Sequence, residues 1–191
     1  MKKDLNSLVR EYPSSLDAET CNMIIRRFEQ DTANQQKISM PGHRSFTEIN
    51  VSSVSDWHDI HDLLVNKTID VLPHYSKDIG LDSRQLPEQY GFEQIRIKRY
   101  IPNTNDEFRL HVDVGDHSSA RRFLVCFWYL NDVQSGGETV FPRFLSNGSA
   151  RVVKPIQGQL LIFPPMWMFL HAGNKPISNP KYIIGTYLHY L

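Results

Sequence analysis

The sequence predicts a mainly β protein, a two-sheet jelly roll with helices packed on its outside. Helical periodicity is confined to the N-terminal part, and from Phe92 onward apolar residues recur with the period of two that is typical of strands. The strand-like segments are short and are separated by glycine, proline and asparagine, as in jelly rolls. With 191 residues, 40% of them hydrophobic, we expect one domain over residues 1–191, with helical support in residues 1–90 and the β core in residues 91–191.

Two helices are predicted in the N-terminal part. The first begins after Asp17, a favourable N-cap residue, and continues with apolar residues at helical spacing. The second is predicted over about residues 55–72, because apolar residues share one face there and Pro73 is expected to end the helix. Residues 36–51, between the two helices, show neither period and are expected to be irregular.

Six strands are predicted in the C-terminal part. Residues 122–130 form an almost continuous apolar run, as expected of a strand that is covered on both faces. The other five show alternation or short apolar runs between turn residues, and they lie at residues 94–101, 138–141, 151–153, 160–163 and 182–190. Arg121 and Arg122, at the start of the long run, are expected to be exposed at a strand edge; the alternative, that one of them faces a substrate pocket, stays open.

Charge and cysteine usage narrow the function classes. The chain has 21 Lys and Arg residues and 21 Asp and Glu residues, so it lacks the net positive charge that attracts nucleic acid. Its two cysteines, Cys21 and Cys126, lie in apolar surroundings, which indicates reduced core thiols and a cytoplasmic location. The N-terminus shows no apolar stretch typical of a secretory signal or a membrane span.

The segment His111-Val112-Asp113 is the strongest candidate for chemistry. Residues i and i+2 of a strand project to the same face, so the imidazole and the carboxylate can reach one metal ion. His171 follows a predicted strand and could supply a third ligand, which would complete a facial triad of two histidines and one carboxylate. A His-x-Asp pair on its own is also common in solvated loops, so this alternative stays open.

Lys181, His58 and His61 also allow a functional and a structural interpretation. Lys181 begins an apolar strand, where an ammonium is costly without an anionic partner such as a dicarboxylate; a solvated lysine at a strand edge is the alternative. His58 and His61 have a helical spacing that can bind a metal. They lie on a charged face without a third ligand, so we expect this face to be solvated.

Five motifs in a fixed order resemble the prolyl 4-hydroxylase-like members of the iron(II)/2-oxoglutarate-dependent dioxygenases. The resemblance covers about residues 94–190, and its most specific segment is Gly-Gly-Glu-Thr-Val-Phe-Pro. The motifs are His111-Val112-Asp113, Tyr129-Leu130-Asn131, the glycine-rich segment 136–142, His171-Ala172-Gly173 and Lys181. The resemblance implies a double-stranded β-helix, which is a jelly roll, with supporting N-terminal helices.

The resemblance also assigns expected roles. His111, Asp113 and His171 match the iron ligands, and Lys181 matches the basic residue that pairs with the C5 carboxylate of 2-oxoglutarate. Tyr129 matches the tyrosine that supports this carboxylate in some members, and Tyr100 matches the tyrosine that borders the 2-oxoglutarate pocket; plain packing within the sheet is the alternative for both. The implied cofactors are Fe(II), 2-oxoglutarate as cosubstrate and O2, with ascorbate as a possible aid that keeps iron reduced.

The implied reaction is hydroxylation of an unactivated C–H bond, with release of succinate and CO2. The favoured substrate is a prolyl or other peptidyl residue; a free amino acid or other small molecule is the alternative, and a non-catalytic metal-binding jelly-roll module is the third. Residues 101–110 lack the glycines frequent in the family and are more acidic, so the substrate stays open. The sequence predicts no oligomeric state.

Overall fold

The computed structural model describes residues 5–191 and has the predicted fold class, with twelve strands in one curled antiparallel sheet that forms a jelly-roll double-stranded β-helix. The strands are β1 (Arg10–Tyr12), β2 (Gln36–Met40), β3 (Arg44–Asn50), β4 (Tyr90–Phe92), β5 (Arg96–Tyr100), β6 (Glu107–His111), β7 (Arg122–Tyr129), β8 (Thr139–Phe141), β9 (Arg151–Val153), β10 (Leu160–Phe163), β11 (His171–Gly173) and β12 (Lys181–Tyr190). Their order across the sheet is β1-β10-β7-β12-β5-β3-β6-β11-β8-β9, with β2 beside β3 and β4 beside β12.

Two α-helices support the sheet, and the second is longer than predicted. Helix α1 (Ala18–Gln30) begins as expected, because the Asp17 side chain accepts a hydrogen bond from the Thr20 N–H. Helix α2 (His58–Asp78) continues through Pro73, so the expectation that Pro73 ends it was wrong. The missing N–H costs one helical bond, but Tyr75, one turn from the end, is buried and its hydroxyl donates to the Leu8 carbonyl at 2.9 Å.

The prediction that residues 36–51 are irregular was also wrong. They form the antiparallel hairpin of β2 and β3, and β3 also pairs with β5 and β6. On β3 only Phe46, Thr47 and Ile49 are buried. Polar residues occupy the remaining positions of the strand, which obscured its alternation in the sequence.

Strand alternation separates two environments and so positions the functional residues. On β12, Tyr182, Ile184 and Leu188 pack into the core beneath the helices, whereas the alternate residues line a cavity inside the curled sheet. β5 divides in the same way, with Ile97 in the core and its neighbours Arg96 and Lys98 on the cavity wall. A second apolar cluster includes buried residues of β7, β8 and β10.

Two smaller expectations concern cysteine and the membrane. Cys21 and Cys126 are both buried free thiols, as predicted. None of the helices in residues 5–191 has the length and apolar character that crossing a membrane requires.

Candidate metal centre

Two histidines meet because β6 and β11 are neighbours in the sheet. His111, the last residue of β6, lies directly opposite His171, the first residue of β11, and their ring centroids are 4.3 Å apart. Asp113 follows two residues after β6 and is tied to the chain before β11, because its N–H donates to the Pro165 carbonyl at 3.2 Å. The donor atoms of the three side chains all lie within 4.8 Å of one another.

Backbone carbonyls fix which nitrogen of each histidine faces the centre. Nδ1 of His111 lies 2.7 Å from the Arg109 carbonyl, and Nδ1 of His171 lies 2.9 Å from the Phe169 carbonyl. A carbonyl only accepts, so each Nδ1 carries the proton and each Nε2 of the neutral ring keeps a free lone pair. Burial lowers the pKa of His171 further than the Asp113 carboxylate raises it, which favours the neutral imidazole.

The two oxygens of Asp113 differ in their hydrogen bonding. Its Oδ1 lies 3.5 Å from Nε2 of His111 and accepts a hydrogen bond of 2.6 Å from the Tyr187 hydroxyl. Its Oδ2 lies 3.6 Å from Nε2 of His171 and is buried without a hydrogen-bond partner. Burial alone would raise the pKa of Asp113, but His171, His111 and Tyr187 outweigh it and lower the value to about 2. The group is therefore a carboxylate at neutral pH.

Aromatic rings hold the two imidazoles in orientation. Phe108 stacks on His111 with centroids 3.6 Å apart and an interplanar angle of 5°. Phe141 and Phe163 pack against His171 at 5.5 and 4.9 Å. These walls leave the imidazoles little rotational freedom and keep that side of the centre apolar.

Lys181 lies buried at the same cavity, with 2% of its surface exposed. Its Nζ is 5.5 Å from the ring centroids of Tyr100 and Tyr129. Burial lowers its pKa to about 7, and the negative charge of Glu138 offsets only part of that shift. No carboxylate of residues 5–191 forms an ion pair with this amine. Because the side chain is buried, the alternative of a solvated strand-edge lysine was wrong.

The two predicted tyrosines differ in their surroundings. Tyr100 is buried and lines the cavity beside Lys181, its register partner on β12. The Tyr129 hydroxyl, in contrast, is engaged with the Thr139 hydroxyl at 2.7 Å, and it is Thr139 that lines the cavity. Thr139 belongs to the glycine-rich segment 136–142, so the sequence motif could have pointed to it as a cavity residue.

Three further residues at this centre were missed or misjudged. Arg122 was expected to be exposed at a strand edge, but its side chain is only 22% exposed and donates to the Asp113 carbonyl at 2.7 Å; Arg121 is exposed, as expected. Tyr187 and Lys98 were not singled out, because only the register of β12 and β5 brings them to the cavity. The alternative metal site on α2 does not form: in the described part of the chain, only His111, Asp113 and His171 group as possible metal ligands.

The donor set fits a divalent transition metal. Two imidazole nitrogens and one carboxylate oxygen lie within 4.8 Å of one another, and Oδ2 of the ionised Asp113 carboxylate is buried without a hydrogen-bond partner. Two imidazoles and one carboxylate on one face leave open positions for exogenous ligands, as in non-haem iron(II) oxygenases.

A jelly roll with such a three-residue centre beside a buried lysine has the features of a metal-dependent oxygenase. The family model of the 2OG-Fe(II) oxygenase superfamily matches residues 95–189, about half of the chain, including all three donor residues and Lys181. The chain belongs to this superfamily, and the family implies Fe(II), 2-oxoglutarate and O2. No curated protein sequence matches it.

Solved structures of prolyl hydroxylases share the fold. The viral collagen prolyl hydroxylase of Paramecium Bursaria Chlorella virus-1, solved with 2OG, is 20% identical with a TM-score of 0.73, covering 96% of this chain and 97% of that one. A prolyl hydroxylase from Trichoplax adhaerens, bound to a peptide fragment of the hypoxia inducible factor oxygen degradation domain, is 16% identical with a TM-score of 0.75, covering 97% and 85%. A Pseudomonas putida prolyl-4-hydroxylase is 14% identical with a TM-score of 0.69, covering 96% and 93%.

Proposed function

We propose that this protein is an iron(II)- and 2-oxoglutarate-dependent hydroxylase that acts on an unactivated C–H bond of a prolyl or other peptidyl residue. The overall reaction converts the C–H bond, 2-oxoglutarate and O2 into the C–OH group, succinate and CO2. The observation that carries the proposal is the pairing of a three-donor centre with an unpaired, buried lysine at one cavity. Family membership supports it independently.

His111, Asp113 and His171 would hold the iron. The carbonyl bonds at both Nδ1 atoms present Nε2 of each ring, and Asp113 contributes Oδ2. When bound, iron(II) supplies the redox chemistry that couples oxidation of 2-oxoglutarate by O2 to hydroxylation of the substrate. The chain fixes the donor directions and excludes water with the rings of Phe108, Phe141 and Phe163.

Lys181 would bind the C5 carboxylate of 2-oxoglutarate. A buried amine without an ion-pair partner is matched by a carboxylate, since the charge-assisted bond offsets the loss of hydration. Tyr100 and Thr139 line the cavity near this amine and can hydrogen-bond the same carboxylate. Tyr129 would act through Thr139, because its own hydroxyl is already bonded to that residue.

The peptide assignment draws support from fold similarity, since the structural neighbours include a prolyl hydroxylase with a bound peptide. Exposed apolar side chains close to the centre also suit a peptide. Trp167 is 76% exposed and Met166 is 40% exposed, in the segment that precedes His171 and carries the Pro165 carbonyl to Asp113. We propose that residues 91–191 form the reacting core of one domain and that residues 1–90 support it.

A free amino acid or other small molecule is the second candidate substrate, and Lys98 favours one that carries a carboxylate. Its amine lines the cavity, lies 4.9 Å from the Phe46 ring centroid and pairs with no carboxylate in residues 5–191. Arg96, two residues earlier on the same face of β5, also lines the cavity, but it is already paired with Glu48 at 3.5 Å. A substrate carboxylate would therefore pair with the Lys98 amine.

The experiment measures succinate release and substrate oxidation together. Protein reconstituted with iron(II) under argon is exposed to 18O2 with 2-oxoglutarate and ascorbate, and proline-containing peptides, free proline and other amino acids are screened for an added 18O atom by mass spectrometry. We expect succinate release and one labelled product class. His171→Ala should abolish both signals, and His58→Ala, on the exposed start of α2, is the matched control.

The outcomes separate the alternatives. A labelled peptide supports the favoured substrate, whereas a labelled free amino acid whose turnover falls in Lys98→Met supports the second. Protein that retains zinc, releases no succinate after iron loading and labels nothing would refute the proposal in favour of a non-catalytic metal-binding module.

A further inference from the structure

Tyr187, Arg122 and Glu93 form a connected network of polar contacts with Asp113. The proposed reaction does not itself require this network. We infer that Tyr187 and Arg122 are positioning residues: they hold the Asp113 carboxylate with Oδ1 engaged in a hydrogen bond, so that Oδ2 is the oxygen that ligates the metal. The inference rests on the proposed function, since it concerns the same metal ligand.

Tyr187 occupies Oδ1 of Asp113. Alternation along β12 turns this side chain into the cavity, where its hydroxyl donates a 2.6 Å hydrogen bond to Oδ1. Oδ2 of the same carboxylate is buried and has no hydrogen-bond partner. The two oxygens are therefore unequal before any metal binds, and the hydrogen bond resists rotation of the carboxylate about its terminal C–C bond.

Arg122 fixes both the tyrosine ring and the aspartate backbone. Its guanidinium carbon lies 4.0 Å from the Tyr187 ring centroid, a close cation–π contact. Its Nη1 donates to the Asp113 carbonyl at 2.7 Å. Arg122 therefore contacts Asp113 directly at its backbone carbonyl and indirectly, through Tyr187, at its carboxylate.

Glu93 locks the arginine in this position. Its two carboxylate oxygens accept from Nε and Nη2 of Arg122 at 2.7 and 2.8 Å, a bidentate pair with a defined plane. The Glu93 backbone is bound to β12 on both sides, because its carbonyl accepts from the Thr186 hydroxyl at 2.7 Å and its N–H donates to the Tyr187 carbonyl at 2.9 Å. The network therefore closes on the strand that carries Tyr187.

Removal of the Tyr187 hydroxyl would leave Oδ1 buried without its donor. The carboxylate would then be free to turn both oxygens toward the metal or to lose its alignment, which changes the ligand geometry and weakens binding. Loss of a hydrogen bond to a metal ligand typically lowers metal affinity about 10–100-fold.

The test compares Tyr187→Phe with Tyr182→Phe by titration of the metal-free protein with cobalt(II), whose visible bands report coordination geometry. Tyr182 lies on the same strand, but its hydroxyl donates to Glu29 on the helical side. The Tyr182→Phe variant therefore removes an equivalent hydroxyl that does not face the cavity. We expect a dissociation constant about 10–100-fold higher and altered cobalt bands in Tyr187→Phe, and wild-type behaviour in Tyr182→Phe. Circular dichroism and urea denaturation of both metal-free variants measure their folding.

Arg122→Lys is the second variant, because it keeps the charge but cannot make the bidentate pair with Glu93 or the same contact with the Asp113 carbonyl. A smaller loss of cobalt affinity with altered bands is expected. Wild-type affinity and bands in folded Tyr187→Phe would overturn the inference and leave the metal site intact, as would equal losses in Tyr187→Phe and Tyr182→Phe. Wild-type protein that binds no cobalt would instead remove the proposed function itself.

Discussion

Binding of 2-oxoglutarate is expected to take up a proton from solvent, because the Lys181 amine is only partly charged in the ligand-free cavity. With a pKa of about 7, roughly half of these amines are protonated at pH 7 and about one in ten at pH 8. A bound carboxylate stabilises the ammonium and returns its pKa toward the ordinary range. The uptake is therefore about 0.9 proton per ligand at pH 8, and affinity should be about fivefold weaker at pH 8 than at pH 7.

Isothermal titration calorimetry measures this uptake. The protein is loaded with manganese(II) in place of iron, and 2-oxoglutarate is titrated in phosphate and in Tris, whose ionisation enthalpies differ; the difference in heat gives the number of protons. Lys181→Arg is the control, since a guanidinium stays charged and should bind the diacid without uptake. Absence of uptake in the wild-type protein at pH 8, or equal uptake in Lys181→Arg, would refute the assigned role of the amine.

Three further outcomes are expected. Alanine at His111, Asp113 or His171 should abolish metal retention after dialysis, measured by elemental analysis, with an unchanged circular dichroism spectrum; retained metal would exclude that residue from the ligand set. Lys181→Met should raise the Tm of the ligand-free protein, most strongly below pH 7, where the native state buries a charged ammonium, and progressively less up to pH 10.5, where the unfolded amine also loses its proton; a lower Tm at pH 7 would contradict this. Asp106→Asn should lower the free energy of unfolding in urea by about 1–3 kcal/mol, since its buried carboxylate accepts from Lys37, Ser45 and the Ile101 N–H; no change would show that these bonds contribute nothing net.

Local signals predicted much of the fold, and tertiary packing accounts for the errors. The N-cap at Asp17 and the apolar run of β7 are properties of the neighbouring sequence, and both predictions were confirmed. The end of α2 was not, because the packing of Tyr75 outweighs the local effect of Pro73. β3 was missed because its polar residues bond to neighbouring segments, as Glu48 does to Arg96 and Ser45 to Asp106, so polarity there does not mark a loop.

The candidate site also has a part that local sequence predicted and a part that depends on tertiary structure. Spacing and residue type singled out His111, Asp113, His171 and Lys181, and the structure brings these side chains to one cavity. The positions of the residues that contact these four depend on strand register, which the sequence does not specify. Tyr187 follows Lys181 on β12 by an even number of positions, so it shares the cavity face, but only the pairing of β12 with β7 brings it beside Arg122 and Asp113.

The pairing of β6 with β11 has a consequence for the order of assembly. His111 and His171 are register partners in strands far apart in the sequence, and such long-range contacts are slow to form in a folding chain. An incompletely folded polypeptide would offer at most isolated imidazole and carboxylate groups, with low affinity for metal. The protein would therefore bind the ion late in folding, and the rate of metal uptake during refolding would measure the rate at which β6 pairs with β11.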